Sequence, residues 1–196
     1  MAENELKQII SQLENLRSSN LSQAPQLLSR GKLALLHLNA LVPSEKSQPQ
    51  HLALACTLLE LGALVSIRLE DTDAFTRYFQ QLQPFYTLPA DSTSPATSKN
   101  QSKVTGLYLL LLVSVGDYAG FHTELEGLET TSGKEEIEKD EFIQYPVRLE
   151  QALMEGSYDK VWGETKGERV PSEEFGKFSA VSDDLMDALD TRLTIV

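Results

Sequence analysis

The sequence has 196 residues, 41% of them hydrophobic and 23% charged, with one cysteine and a formal net charge of −12. That is the composition of a soluble globular chain of one domain, or one domain plus an appendage, long enough to bury a sizeable core. A single thiol excludes an internal disulfide framework and fits a reducing compartment, and the acidic balance repels phosphate, which argues against nucleic acid as a main partner.

The charge is unevenly placed. Residues 1–119 hold 9 Lys+Arg against 10 Asp+Glu, whereas residues 120–196 hold 8 against 19. The acidic half reads as a solvated surface, with complementarity to a basic partner as the alternative. Met1–Asn4 (MAEN) is not a charged-then-apolar leader. The longest apolar run, Leu107–Val115, falls far short of the ~20 residues of a membrane span. These features lead us to expect a cytoplasmic and nuclear protein without a membrane partner.

In chain order, Leu6, Ile9, Ile10, Leu13 and Leu16 mark one face of a first helix. A second helix is predicted over about residues 25–41, with Pro25 in its first turn and Leu28, Leu35, Leu36, Leu38 and Leu41 following. The third, about 49–69, is apolar on nearly every side and belongs in the middle of a stack. Residues 88–103 are rich in Pro, Ser and Thr and read as a mobile loop; a fourth apolar helix should extend back from Val115 to Gln101. Residues 130–139 read as a shorter charged loop. No period-two alternation signals a strand.

Three turns share a pattern. Asp71, Asp117 and Ser157 each stand four residues before an apolar anchor: Phe75, Phe121 and Val161. An oxygen at the first position takes up free N–H groups at a helix start, and the anchor packs into the core. Gly116 and Gly156 precede two of these caps, and the caps lie 46 and 40 residues apart. That spacing fits a two-helix repeat, so the expected fold is all-α: a right-handed stack of antiparallel helix pairs, a TPR-like α-solenoid.

Little in the sequence points to catalysis. His37, His51 and His122 fall on different predicted helices, and no HxxxH pair or Cys/His cluster accompanies Cys56. Cys56, in the most apolar helix, reads as a small buried residue. No glycine-rich phosphate loop occurs, and Glu124, Glu126, Glu135, Glu136 and Glu138 read as solvated faces. Trp162, next to the Val161 anchor, reads as a core or interface residue. No catalytic, cofactor-binding or metal-binding residue is assigned, no small-molecule substrate is expected, and partner-binding residues stay unassigned.

Four segments are more specific: LELGALVSI (Leu59–Ile67), FTRYFQQLQPFY (Phe75–Tyr86), FHTELEGL (Phe121–Leu128) and PVRLEQALMEGSYDKV (Pro146–Val161). Together they resemble the family of the smallest PCI-type subunit of the 26S proteasome regulatory-particle lid, the non-ATPase subunit numbered twelve in yeast and eight in human naming. The resemblance covers roughly residues 25–178. It implies a non-catalytic structural subunit that joins other PCI-type lid subunits and supports ubiquitin-dependent protein degradation. The related small PCI subunits of the signalosome and of translation initiation factor three are the alternative. The segments also read as fold-forming: Pro146 near a helix start, Leu149, Leu153 and Met154 as a buried stripe, Gly156 as a stop. The expected layout is a helical-repeat domain over 1–178 and a divergent tail over 179–196 with one short helix on Leu185, Leu189 and Leu193. The winged-helix PCI module of the family is expected to be absent.

Overall fold

The computed structural model describes residues 2–15, 18–43, 48–87, 100–165 and 170–176. Among the described residues the secondary structure is helical, with no strand, as the periodicity predicts. The chain forms two compact units, Met1–Val104 and Thr105–Val196.

The first unit holds α1 (Ala2–Glu14), a 3-10 turn (Ser18–Gln23), α2 (Ala24–His37), α3 (Pro49–Arg68) and α4 (Thr72–Tyr86). Leu6, Ile9, Ile10 and Leu13 are buried, so the predicted face of α1 is its core face; Leu16 lies outside the described residues. In α2 the core side chains are Leu28 and Leu35, while Leu33 and Leu36 are exposed, and the helix stops at His37 rather than near 41. The 20-residue α3 packs against α1, α2 and α4 and buries Leu52, Ala55, Leu58, Leu59, Ala63, Val65 and Ile67. It is long and apolar enough to cross a membrane, but 67% of its apolar stretch is buried inside the fold, which makes it the core helix.

The second unit takes most of α5 (Gln101–Ser114), then α6 (Tyr118–Ser132), α7 (Lys134–Lys139), α8 (Glu141–Met154) and α9 (Tyr158–Thr165). Its core gathers Leu109, Leu112, Val113, Phe121, Ile137 and Ile143, with Leu125, Leu128, Val147 and Leu153 packed against them. Phe175 is fully buried, edge-on to Tyr145 at 5.7 Å and near Phe142 at 5.8 Å between ring centres.

Several expectations are corrected here. Residues 130–139 are helical, not a loop: α6 runs to Ser132, Gly133 breaks the chain direction at φ +84°, and α7 follows. The cause is Ile137, whose burial in the core anchors an otherwise polar segment. Pro146 lies inside α8, not near its start, because Asp140 caps the helix through Phe142 N–H at 3.0 Å. Met154 is 55% exposed, which leaves the inward stripe to the buried Leu149 and the partly buried Leu153. Of the loop expected over 88–103, residues 101–103 are the first turn of α5; residues 88–99 and the tail 179–196 lie outside the described residues.

The turns repeat one backbone geometry. Asn39, Glu70, Gly116 and Gly156 all take positive φ, between 50° and 76°. In each, the next residue's N–H reaches back to the carbonyl five positions earlier: Ala40 to Leu35, Asp71 to Ser66, Asp117 to Leu112 and Ser157 to Ala152, at 2.9–3.0 Å. The positive-φ residue donates to the carbonyl three before it, at 3.0–3.1 Å, which completes a Schellman closure. At Asp71 and Asp117 the residue that ends one helix also caps the next, accepting from Ala74 N–H at 2.8 Å and Gly120 N–H at 2.9 Å. The anchors Phe75, Phe121 and Val161 are all buried, as predicted.

Candidate docking surface

The residues with potential chemistry are placed apart. Cys56 is buried, and its sulfur lies 3.5 Å from Glu60 Oε1. Burial first, and the Glu60 carboxylate second, push its thiol far above the ordinary range, which suppresses the thiolate a nucleophile needs. His51 Nε2 stands 3.8 Å from Glu3 Oε2 and His122 Nε2 stands 3.4 Å from Glu150 Oε1; each tie links two helices. His37 is exposed. Among the described residues, no group of three or more His, Cys, Asp or Glu side chains gathers as a metal site would require. Glu126, Glu135, Glu136 and Glu138 are exposed and Glu124 is half-buried.

The four segments singled out in the sequence fall into pairs. Leu59–Ile67 on α3 and Phe75–Tyr86 on α4 form one interface. Tyr86 donates its hydroxyl to Glu60 at 3.1 Å, and the Tyr78 ring lies against Gly62. Lys32 of α2 places its ammonium 4.0 Å from the Tyr78 ring centre, a cation–π contact. In the second unit, Phe121, Leu125 and Leu128 of α6 join the same core as Ile143, Val147 and Leu153 of α8, and His122 meets Glu150. Most of what makes these segments specific is therefore consumed inside the fold.

Part of what remains outside lies on α8 and α9, while Leu33, Leu36, Val42, Leu69 and Val115 are exposed elsewhere. Arg148 and Gln151 are exposed on α8 with Glu155 just past its end, while Asp159 and Lys160 lie on α9. With Glu164 they line an open cleft of about 530 Å³. Its charges are largely matched within the chain: Arg148 Nε to Glu164 Oε2 at 3.1 Å and Lys160 Nζ to Glu155 Oε2 at 2.7 Å. The Lys160 hydrogen bond leads the causes that hold the Glu155 carboxyl below the usual range. Met154 and Trp162, 55% and 48% exposed, belong to the same two helices. Exposed large side chains of this kind are suited to a protein contact. Sequence reasoning left Trp162 between core and interface, and the structure puts it on the surface. It missed Met154, which a helical stripe alone cannot separate from the partly buried Leu153.

Residues 99–180 match the CSN8/PSMD8/EIF3K family. The chain is 34% identical over 160 residues to the 26S proteasome regulatory subunit RPN12 of Saccharomyces cerevisiae, covering 80% of this chain and 57% of that protein. It is 39% identical over 130 residues to the 26S proteasome regulatory subunit rpn12 of Schizosaccharomyces pombe, covering 66% of this chain and 44% of that protein. Against the 26S proteasome non-ATPase regulatory subunit 8 homolog A of Arabidopsis thaliana it is 32% identical over 164 residues, 80% of this chain and 59% of that protein. The chain thus spans about half the length of the relatives it matches.

Proposed function

We propose, from the match of residues 99–180 to the CSN8/PSMD8/EIF3K family and the likeness to 26S regulatory subunits, that this chain belongs to that family and is a non-catalytic structural subunit of the lid of the 26S proteasome regulatory particle. The observation that carries the proposal is the alignment with a 26S regulatory subunit over 80% of the chain. The packing supports it, because the specific segments build helix–helix interfaces and leave an exposed α8–α9 face for a partner. The partners we expect are other PCI-type lid subunits, and the role is to hold them together during ubiquitin-dependent degradation. The net charge of −12 weighs against nucleic acid as a partner. Residence in cytoplasm and nucleus is part of the same proposal.

Affinity purification of the tagged chain from cells, read by mass spectrometry, tests it. Other lid subunits should be recovered in stoichiometric amounts. Recovery of signalosome or translation-initiation-factor-three components without lid subunits would overturn the assignment.

A further inference from the structure

Glu60 is fully buried in α3, and its Oε1 receives two donors: the Tyr86 hydroxyl at 3.1 Å and the Cys56 thiol at 3.5 Å. Tyr86 is the last residue of α4. Two positions earlier stands Pro84, which has no N–H to offer the carbonyl of Gln80, so the backbone ladder is interrupted where the final turn begins. Beyond its remaining helical bonds, that turn is held by the burial of Phe85, a backbone bond from Thr87 N–H to Gln83 at 3.1 Å, the Thr87 hydroxyl on the Pro84 carbonyl at 3.2 Å, and the Tyr86–Glu60 contact. A carboxylate taken out of water is costly unless its hydrogen bonds are supplied. Glu60 gains from keeping Tyr86 in place, and Tyr86 and Cys56 meet at the same carboxylate oxygen.

We propose that Glu60 and Tyr86 form a latch that closes the last turn of α4 over Cys56. When it opens, that turn separates from α3 and uncovers the thiol while the rest of the first unit stays folded. The interrupted ladder at Pro84 marks the hinge, and the latch is the end of α4 that is cheapest to release. This inference is independent of the complex the chain joins.

Cys56 is the only cysteine in the sequence, so a thiol reagent reports on this site alone. The experiment measures the labelling rate of the full chain by Ellman's reagent, in buffer and across low urea concentrations. Tyr86→Phe should label about tenfold faster than the unaltered chain, the factor lost with one hydrogen bond of ordinary net strength. The rate should be nearly independent of low urea, since little surface is exposed by a local opening. Ile9→Val, a mild core truncation in α1, should leave the low-urea rate unchanged. Hydrogen exchange should accelerate in Tyr86→Phe over residues 82–87 and not in α1. Equal acceleration by both variants with a steep urea dependence would overturn the latch, because the thiol would then be reached only by global unfolding. So would an unchanged rate in Tyr86→Phe. Should Tyr86→Phe fold poorly, hydrogen exchange of the unaltered chain decides: amides of residues 82–87 should exchange through an opening nearly independent of low urea, and exchange there by the same steeply urea-dependent opening as α1 would overturn the latch.

Discussion

Gly106 and Phe142 meet backbone to backbone: a Cβ added at Gly106 would stand 2.3 Å from the carbonyl oxygen of Phe142. That oxygen lies four residues before Pro146, which has no N–H to return to it. A proline that removes one bond from the α8 ladder and a residue without a side chain on α5 thus belong to one contact, with the Gly106 backbone set beside a carbonyl its own helix cannot satisfy.

Gly106→Ala should therefore destabilise the chain by about 2–4 kcal/mol, since backbone cannot move aside as a side chain can. Urea denaturation measures it. An alanine in a helix ordinarily gains about 1 kcal/mol over glycine, so a rise in midpoint would refute the contact.

Gly62 makes the comparison. There the added Cβ would meet the Tyr78 ring at 2.6 Å, and a ring can be removed. Gly62→Ala should cost about 1–2 kcal/mol, and the cost should largely vanish in a Tyr78→Ala background, where the overpacking is gone. A double-mutant cycle without coupling would show that α3 and α4 do not meet there.

Glu70 occupies the turn position that Gly116 and Gly156 fill elsewhere, at φ +60°. A side chain in that conformation costs on the order of 1 kcal/mol, part of which glycine returns to the unfolded chain as entropy. Glu70→Gly should be stabilising by about 0.5 kcal/mol, seen as a small rise in Tm. A fall would mean that the Glu70 side chain makes a compensating contact.

At alkaline pH the buried hydroxyl and thiol become a liability. Burial leads the causes that raise Tyr86 and Cys56 above their ordinary values of 10.0 and 9.0. Groups raised in the folded state contribute stability that is intact below the unfolded values and is lost as pH rises above them. The urea midpoint should fall from about pH 9 upward, and Tyr86→Phe together with Cys56→Ala should flatten the decline. An identical slope in the double variant would assign the loss to other groups.

For the exposed face, Trp162→Ser and Met154→Asp should leave Tm within about 1–2 °C of the unaltered chain, as surface changes do. Both should reduce recovery of lid subunits in the affinity experiment. Full recovery with both changes would move the contact elsewhere on the chain.

How far the sequence disclosed this fold follows from the physics of each position. The α1 stripe, the all-round apolar α3 and the caps at Asp71 and Asp117 were legible because period and capping chemistry are local. Ile137 was not: one apolar residue among lysines and glutamates carries no periodic signal, yet its burial fixes α7. Pro146 misled because proline favours a helix start; only Asp140, six residues earlier, showed that the helix had already begun. The exposed face was hardest to read. Met154 and Leu153 are adjacent and both apolar, and which of them turns inward depends on where the second unit's core lies relative to α8.

Asp71 and Asp117 each finish one helix and start the next, so no spacer separates the two jobs. Adding a single residue at either turn would force a choice between the outgoing and incoming helix, whereas a substitution would weaken only one end. Length variation between relatives should therefore avoid 70–72 and 116–118 and collect where helices are joined without a shared residue. These two joints work as fixed rulers: they tolerate changes of composition far better than changes of count.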